Sequence, residues 1–362
     1  MDVDLQFSLQ LVSSLPGHEE RAWQVAWNPV KPLLASCSAD KTVRLYSYQR
    51  SAEDQEKLPS FSHINTISTA HTKTVRSIAW APSGKTLATG SFDSNVGIYE
   101  KKQELDDEND PNESEEWECA AMLEGHETEC KSVAYSATGT LLASCSRDKT
   151  VWIWEVQPDA DFDCMGVLME HSQDVKCVAW HPTEEILASA SYDDTIKLYV
   201  DDPSEDWYCM STLTGHESTV WSLAWSPDGN YLASASDDLS IRIWKRLDQY
   251  KWQSIHQIKG HERSIYSISW IVGKGTSSKS MGWLASTGGD GKINVWEISQ
   301  PPDQSTKEIL YSKLIASVSS AHDVSDVNSV QWCPRPGFED LLATAGDDGS
   351  VKVWRVMPTS SS

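Results

Sequence analysis

The chain alternates apolar and polar residues in short bursts. TVWSLAW (Thr219–Trp225), YLASAS (Tyr231–Ser236) and SIRIW (Ser240–Trp244) are typical. Period-two alternation interrupted by Gly, Asp, Ser and Pro turns predicts many short antiparallel strands. The opening residues follow the same rule. Leu5, Phe7, Leu9 and Leu11 alternate with Asp4, Gln6, Ser8 and Gln10. They predict a strand over about residues 4–13 with one apolar face.

The strand pattern repeats. Histidines recur at His18, His71, His126, His171, His216, His261 and His322. Each is followed by an aspartate in a tight turn: Asp40, Asp93, Asp148, Asp193, Asp238, Asp290 and Asp348. The first five separations are 22 residues and the last two are 29 and 26. Four residues before each Asp stands a hydroxyl: Ser36, Thr89, Ser144, Ser189, Ser234, Ser286 or Thr344. Six residues after it stands an aromatic: Tyr46, Tyr99, Trp154, Tyr199, Trp244, Trp296 or Trp354.

This constellation resembles the WD40 repeat over essentially the whole chain. The resemblance implies an all-β fold, a seven-bladed β-propeller in one domain spanning residues 1–362. Propellers must protect their edges. The N-terminal strand is therefore expected to complete the last blade, whose other strands come from about residues 322–355, with a flexible tail at 357–362. Asp, His, hydroxyl and indole can form one buried hydrogen-bond chain per blade. Where Tyr replaces Trp, the phenol is expected to donate instead. Seven copies of a His–Asp–Ser set argue for structure and against a hydrolase triad, since catalysis needs one asymmetric set. No enzyme activity is expected, and no Gly-rich phosphate loop is visible.

Composition narrows the partners. The 362 residues include 30 Lys and Arg against 53 Asp and Glu, a net charge of −23. Such a chain is unsuited to broad nucleic-acid or anionic-membrane binding. No segment approaches the roughly 20 apolar residues of a membrane span. Two Asp and no Lys or Arg precede Arg21, so no basic secretory n-region is read there. The eight cysteines form no CxxC pair, so neither metal nor cluster ligation is expected, and no cofactor. Cys119, Cys164 and Cys209 each lie seven residues before a repeat histidine, which suggests buried packing. A reducing compartment, cytosol or nucleus, follows.

The acidic excess concentrates in insertions, above all the loop 100–116, with smaller acidic runs at 159–163, 201–206 and 301–308. A further Gly/Ser/Lys insertion covers 273–282. The top face reads differently. The residues before the turn aspartates are Ala39, Phe92, Arg147, Tyr192, Asp237, Gly289 and Asp347. A second top-facing series is Gln24, Arg76, Lys131, Lys176, Trp221, Tyr266 and Asn328. Together they predict an arc over blades two to five, in which Arg76, Lys131, Arg147 and Lys176 interleave with Phe92, Tyr192, Trp221 and Tyr266. Cations with planar donors beside aromatic anchors suit a peptide carrying carboxylates and an apolar or aromatic side chain. The competing reading pairs these cations locally with Glu127, Glu129 and Asp174.

The runs SRDKTVWIWE (Ser146–Glu155), EHSQDVKCVAWHP (Glu170–Pro182), SYDDTIKLY (Ser191–Tyr199) and GHESTVWSLAW (Gly215–Trp225) resemble the WD40 subunit of the cytosolic iron–sulfur protein assembly machinery. The likeness is strongest over about residues 70–245. It departs at Cys130 and Tyr135, where that family more often has Val and Trp. The resemblance implies a monomeric propeller acting as an adaptor within a hetero-complex. Its implied partners are a SufT-like small subunit, a HEAT-repeat scaffold, a hydrogenase-like iron–sulfur carrier and apo iron–sulfur client proteins. It also implies recognition of client C-termini ending in an acidic residue and Trp or Phe, with the family's top-face arginine at Arg147. An adaptor of another class, a ubiquitin-ligase substrate receptor or a histone reader, is the alternative from the same face.

Overall fold

The computed structural model describes residues 6–15, 17–50, 58–102, 116–157, 161–202, 206–248, 250–273, 279–300 and 310–359. Twenty-eight strands form seven four-stranded antiparallel sheets, a seven-bladed β-propeller. The innermost strands are Ala22–Trp27, Val75–Trp80, Cys130–Tyr135, Val175–Trp180, Val220–Trp225, Ile265–Ile271 and Val327–Trp332. Each continues outward through three neighbours in chain order, except in the seventh blade. There the order is Phe7–Leu15, Val351–Pro358, Leu341–Gly346, Val327–Trp332.

Apolar alternation produces this ring because each sheet must cover two faces. The core is divided into clusters that span neighbouring blades. One joins Val25, Trp27, Leu34 and Tyr48 to Leu341, Ala343 and Val353, so the last blade packs on the first. Polar pins run across the same seams. Trp80 Nε1–H donates to Ala26 O at 3.1 Å, Trp180 to Ala134 O at 2.9 Å and Trp225 to Ala179 O at 3.1 Å. Trp27 Nε1–H donates to Gln331 O at 3.0 Å, repeating the pin at the closing seam. Tyr135 has no indole to offer between blades two and three, and Trp270 donates within its own blade to Met281 O at 3.2 Å.

The closing strand runs over Phe7–Leu15 rather than 4–13, and Leu5 falls outside the described residues. A bulge between Leu11 and Ser13 shifts its register. One extra residue reverses which face later side chains take. Phe7 is buried, edge-on to Trp283 at 5.3 Å, whereas Leu11 is 45% exposed. Val12 and Leu15 pack inward in its place. Residues assigned to the tail also differ from expectation. Met357 and Pro358 pair with Ser8 and Phe7, and Thr359 N–H donates to Gln6 O at 3.0 Å. Residues 360–362 lie outside the description, as do 103–115 of the acidic loop, 301–309, and 274–278 of the sixth-blade insertion.

The three repeated cysteines are not buried. Cys119 and Cys164 are exposed and Cys209 is half-buried. They lie on outermost strands, opposite Tyr99, Trp154 and Tyr199. A recurrent position there reports the repeat, not the core.

Candidate functional site at the channel mouth

Each blade carries a His–Asp–hydroxyl hydrogen-bond chain. His Nδ1 lies 2.7–3.1 Å from the turn aspartate in all seven, from His216–Asp238 at 2.7 Å to His71–Asp93 at 3.1 Å. His Nε2 lies 2.7–2.9 Å from the hydroxyl of Ser36, Thr89, Ser144, Ser189, Ser234, Ser286 or Thr344. The indoles of Trp154, Trp244, Trp296 and Trp354 donate to that hydroxyl at 3.1, 2.8, 3.1 and 3.1 Å. With neutral imidazole, every proton in the chain from indole to hydroxyl to Nε2, and from Nδ1 to carboxylate, has one acceptor. All seven aspartates are held below the usual carboxylate range. Burial alone would raise them, and the histidine together with the backbone N–H donors, joined in five blades by a neighbouring hydroxyl, outweighs it.

The tyrosine blades depart from the expectation that phenol replaces indole as donor. Tyr99 Oη accepts the Ala70 N–H at 3.0 Å, Tyr199 Oη lies 3.4 Å from Ser189 Oγ, and Tyr46 Oη has no hydrogen-bond partner among the described residues. A phenol oxygen sits at the ring's tip, beyond where an indole N–H lies.

The turn that presents each aspartate needs a left-handed residue after it. Lys41, Ser94, Lys149, Asp194 and Leu239 have φ of 66–76°, and Gly291 and Gly349 fill the last two turns at 67° and 74°. This geometry fixes the preceding residue on the top face.

The top of the channel holds a cavity of about 280 Å³. Arg76, Phe92, Lys131, Lys176, Trp221 and Tyr266 line it, six of the eight residues in the predicted arc. Tyr266 belongs to the sixth blade (Ile265–Ile271), so the arc runs beyond blades two to five. Arg147 and Tyr192 stand outside the cavity. Arg147 is 58% exposed and paired to Glu129 at 3.1 Å. Tyr192 is half-exposed, beneath Lys176 Nζ at 5.2 Å from its ring centroid.

Sequence reasoning missed Trp23, Arg21 and Asp326, which also line the cavity. Trp23 is the equivalent of Arg76, five residues after the repeat histidine. Choosing Gln24 was a slip of one position. Gln24 instead bridges blades, its Oε1 accepting the Ile78 N–H at 2.8 Å, as Ser77 does for Val133 N–H at 3.0 Å. Constant counting from each histidine would have found Trp23.

The collar alternates rings and cations. Arg76 Cζ lies 4.7 Å over Trp23, Lys131 Nζ 4.1 Å over Phe92, and Lys176 Nζ 5.0 Å over Trp221. Trp221 meets Tyr266 edge-on at 5.6 Å. Cation–π contact lets these charges sit at a partly dry mouth. Burial lowers the Lys131 ammonium to about 8; Glu129 acts against this, while Lys176 and Arg76 add to it. Burial likewise lowers Arg76 from its ordinary value.

The opposite side of the mouth is acidic and internally satisfied. Asp347 Oδ1 accepts Asn328 Nδ2–H at 2.8 Å, and Asp347 Oδ2 lies 3.4 Å from Arg21 Nε. Asp326 Oδ2 accepts the Tyr266 hydroxyl at 3.3 Å. Asp237 Oδ1 accepts Trp221 Nε1–H at 2.6 Å. Lys176 pairs with Asp174 at 3.3 Å, so two of the locally expected pairings, Arg147–Glu129 and Lys176–Asp174, do form.

Comparison with known proteins places this geometry. The WD domain, G-beta repeat model matches residues 9–47, 207–245, 252–297 and 312–355. The CAF1B/HIR1 beta-propeller domain model matches residues 32–207. The probable cytosolic iron-sulfur protein assembly protein 1 of Cryptococcus neoformans var. neoformans serotype D is 45% identical over 436 aligned positions, covering 96% of this chain and 99% of the relative. Its namesakes from Mycosarcoma maydis and Malassezia globosa are 51% identical over 177 residues and 55% over 100, covering 42% and 28% of this chain and 39% and 28% of those relatives. Identity of that extent over nearly the full length of both chains establishes that this propeller belongs to the cytosolic iron-sulfur protein assembly protein 1 family.

Proposed function

We propose that the protein is a non-catalytic adaptor of cytosolic iron–sulfur protein assembly, working in the cytoplasm and also in the nucleus. Its top-face arc captures acidic and aromatic peptide segments of apoprotein clients. The observation that carries the reading is a collar of cations stacked on aromatic rings, on a chain of net charge −23. Positive charge so concentrated against the overall field favours an acidic ligand locally, and Trp and Tyr supply the apolar anchor. Arg147 at the rim, Arg76, Lys131 and Lys176 attract the carboxylates. Phe92, Tyr192, Trp221 and Tyr266 receive the aromatic side chain. The SufT-like subunit, the HEAT-repeat scaffold and the hydrogenase-like carrier, implied by resemblance, dock elsewhere on the propeller.

The test is fluorescence anisotropy with a labelled decapeptide ending in Leu-Asp-Trp and a free carboxylate. Saturable binding to wild type is expected. Arg147→Glu, which adds repulsion at the rim and strands Glu129, is expected to weaken it at least tenfold with little change in melting temperature. Equal binding by the charge-reversed protein would remove Arg147 from the site.

The rival reading is an adaptor of another class that uses the same face, a histone reader. Capture of histones from a cytosolic extract, with no iron–sulfur assembly factor recovered, would favour it.

A further inference from the structure

Arg76 is the anomaly of the mouth. Its guanidinium carries five N–H donors, yet no described residue accepts a hydrogen bond from it or forms an ion pair with it. The Trp23 ring beneath it offers a face but no acceptor atom. The thiols of Cys37, Cys177 and Cys145 lie near it, and burial raises all three, so they stay neutral and offer it no counter-charge. Lys131 is in the same state: it lies over Phe92 and makes no hydrogen bond or ion pair with any described residue. The other cations differ. Arg147 is bound to Glu129, Lys176 to Asp174 and Arg21 to Asp347. A half-desolvated charge without a counterion destabilises a fold. Arg76, with no carboxylate partner among the described residues, and Lys131, on which Glu129 acts only from beyond ion-pair distance, line one cavity and make a seat for an anion.

We infer that Arg76 and Lys131, rather than Arg147, make the primary contact with the ligand's carboxylate. Trp23 is the platform that holds Arg76 edge-on to it. The inference rests on the peptide-adaptor reading and sharpens it: the acidic group descends into the channel mouth, and its aromatic neighbour lies toward Trp221 and Tyr266. The cavity of about 280 Å³ has room for side chains entering from the top face. The carboxylate comes either from an acidic side chain or from a chain terminus.

Arg76→Met, Lys131→Met and Arg147→Met, each removing charge at similar volume, are compared by anisotropy with four probes. These are the Leu-Asp-Trp decapeptide, its Asp→Asn version, its C-terminal amide and inorganic phosphate as competitor. Arg76→Met and Lys131→Met are expected to weaken the decapeptide by tenfold or more, and Arg147→Met by about threefold. Loss with the Asn peptide assigns the seat to the side chain; loss with the amide assigns it to the terminus. Melting temperature separates binding from structure, because Arg76→Met removes an unpaired charge and is expected to melt no lower than wild type. Wild-type binding retained by Arg76→Met, or a clearly lower melting temperature in that variant, overturns this inference and leaves the adaptor reading standing. No peptide binding by wild type, with phosphate alone retained through Arg76, overturns the adaptor reading and keeps the anion seat. No binding of either probe overturns both.

Discussion

The blade interiors and the channel mouth use the same vocabulary of aromatic rings, hydroxyls, carboxylates and nitrogen bases, to opposite ends. In the fifth blade, Trp244, Ser234, His216 and Asp238 hand donors to acceptors until none is left over, within 2.8 Å at each step. At the mouth, Arg76 and Lys131 have rings but no hydrogen-bond acceptor among the described residues. Polar groups that find every partner inside the chain hold the fold. Those that leave donors open are arranged for recognition. The contrast separates structure from recognition better than residue type does, since His, Asp and Ser in the blades would pass for catalytic machinery in isolation.

The largest expected effect breaks the closed side. Asp238→Ala strands the His216 Nδ1–H and the Glu217 N–H, which now donate to Asp238 Oδ2 at 2.7 and 3.1 Å. Loss of this buried acceptor is expected to cost about 3 kcal/mol in denaturant unfolding. Peptide affinity of the folded fraction should stay within twofold. A tenfold loss of affinity would show the two regions to be coupled.

A smaller effect tests the open side through pH. Lys131 faces Glu129 and Asp174 among acids, Arg76 and Lys176 among bases, and the Phe92 ring. With its ammonium lowered to about 8, the free protein carries this charge below pH 8 and loses it above. Attraction for a carboxylate is therefore present at pH 6.5 and reduced at pH 9.5. Affinity is expected to fall roughly threefold to tenfold across that range, and Lys131→Arg, always charged, should flatten the profile. A wild-type profile as flat as the arginine variant would remove Lys131 from the seat.

The smallest effect concerns the turns between the two regions. Leu239 holds φ of 66° directly after Asp238, where a branched side chain is strained. Its side chain is 38% exposed, so little packing is lost with it. Leu239→Gly is expected to raise stability by up to about 1 kcal/mol, relief of strain being partly offset by glycine's greater freedom when unfolded. Destabilisation would mean that Leu239 packs in a way its exposure conceals.

The fold was legible because propeller geometry is local. A histidine, a hydroxyl two strands later and an aspartate in the next turn are separated by fixed strand lengths, so spacing alone located them. What failed was register where one residue was gained or misplaced. The bulge after Leu11 sends Leu15 to the opposite sheet face from Phe7 and Leu9, and one miscounted position put Gln24 where Trp23 stands. Most of the mouth was found from its two series. Which cations are paired was not legible, because the partner of Arg147 is Glu129, eighteen residues away on a neighbouring loop, and no spacing rule marks Arg76 and Lys131 as the two without a hydrogen-bond partner among the described residues. The cysteines failed differently, since periodicity announces a shared environment without saying whether it is wet or dry.

The mixed origin of the seventh sheet also sets an order of events. Phe7 pairs with Pro358, and Leu15 with Val351. At synthesis rates of about 5–20 residues per second, the earlier partner waits roughly 20–70 s for the later one. Throughout that interval six blades can assemble while the ring stays open, with Leu341, Ala343 and Val353 not yet available to cover Val25 and Leu34. Nascent chains of this protein therefore spend most of their production time as an incomplete annulus with a sticky flank. Slowed elongation near the end of the message is expected to lower the yield of soluble product more than the same delay placed early.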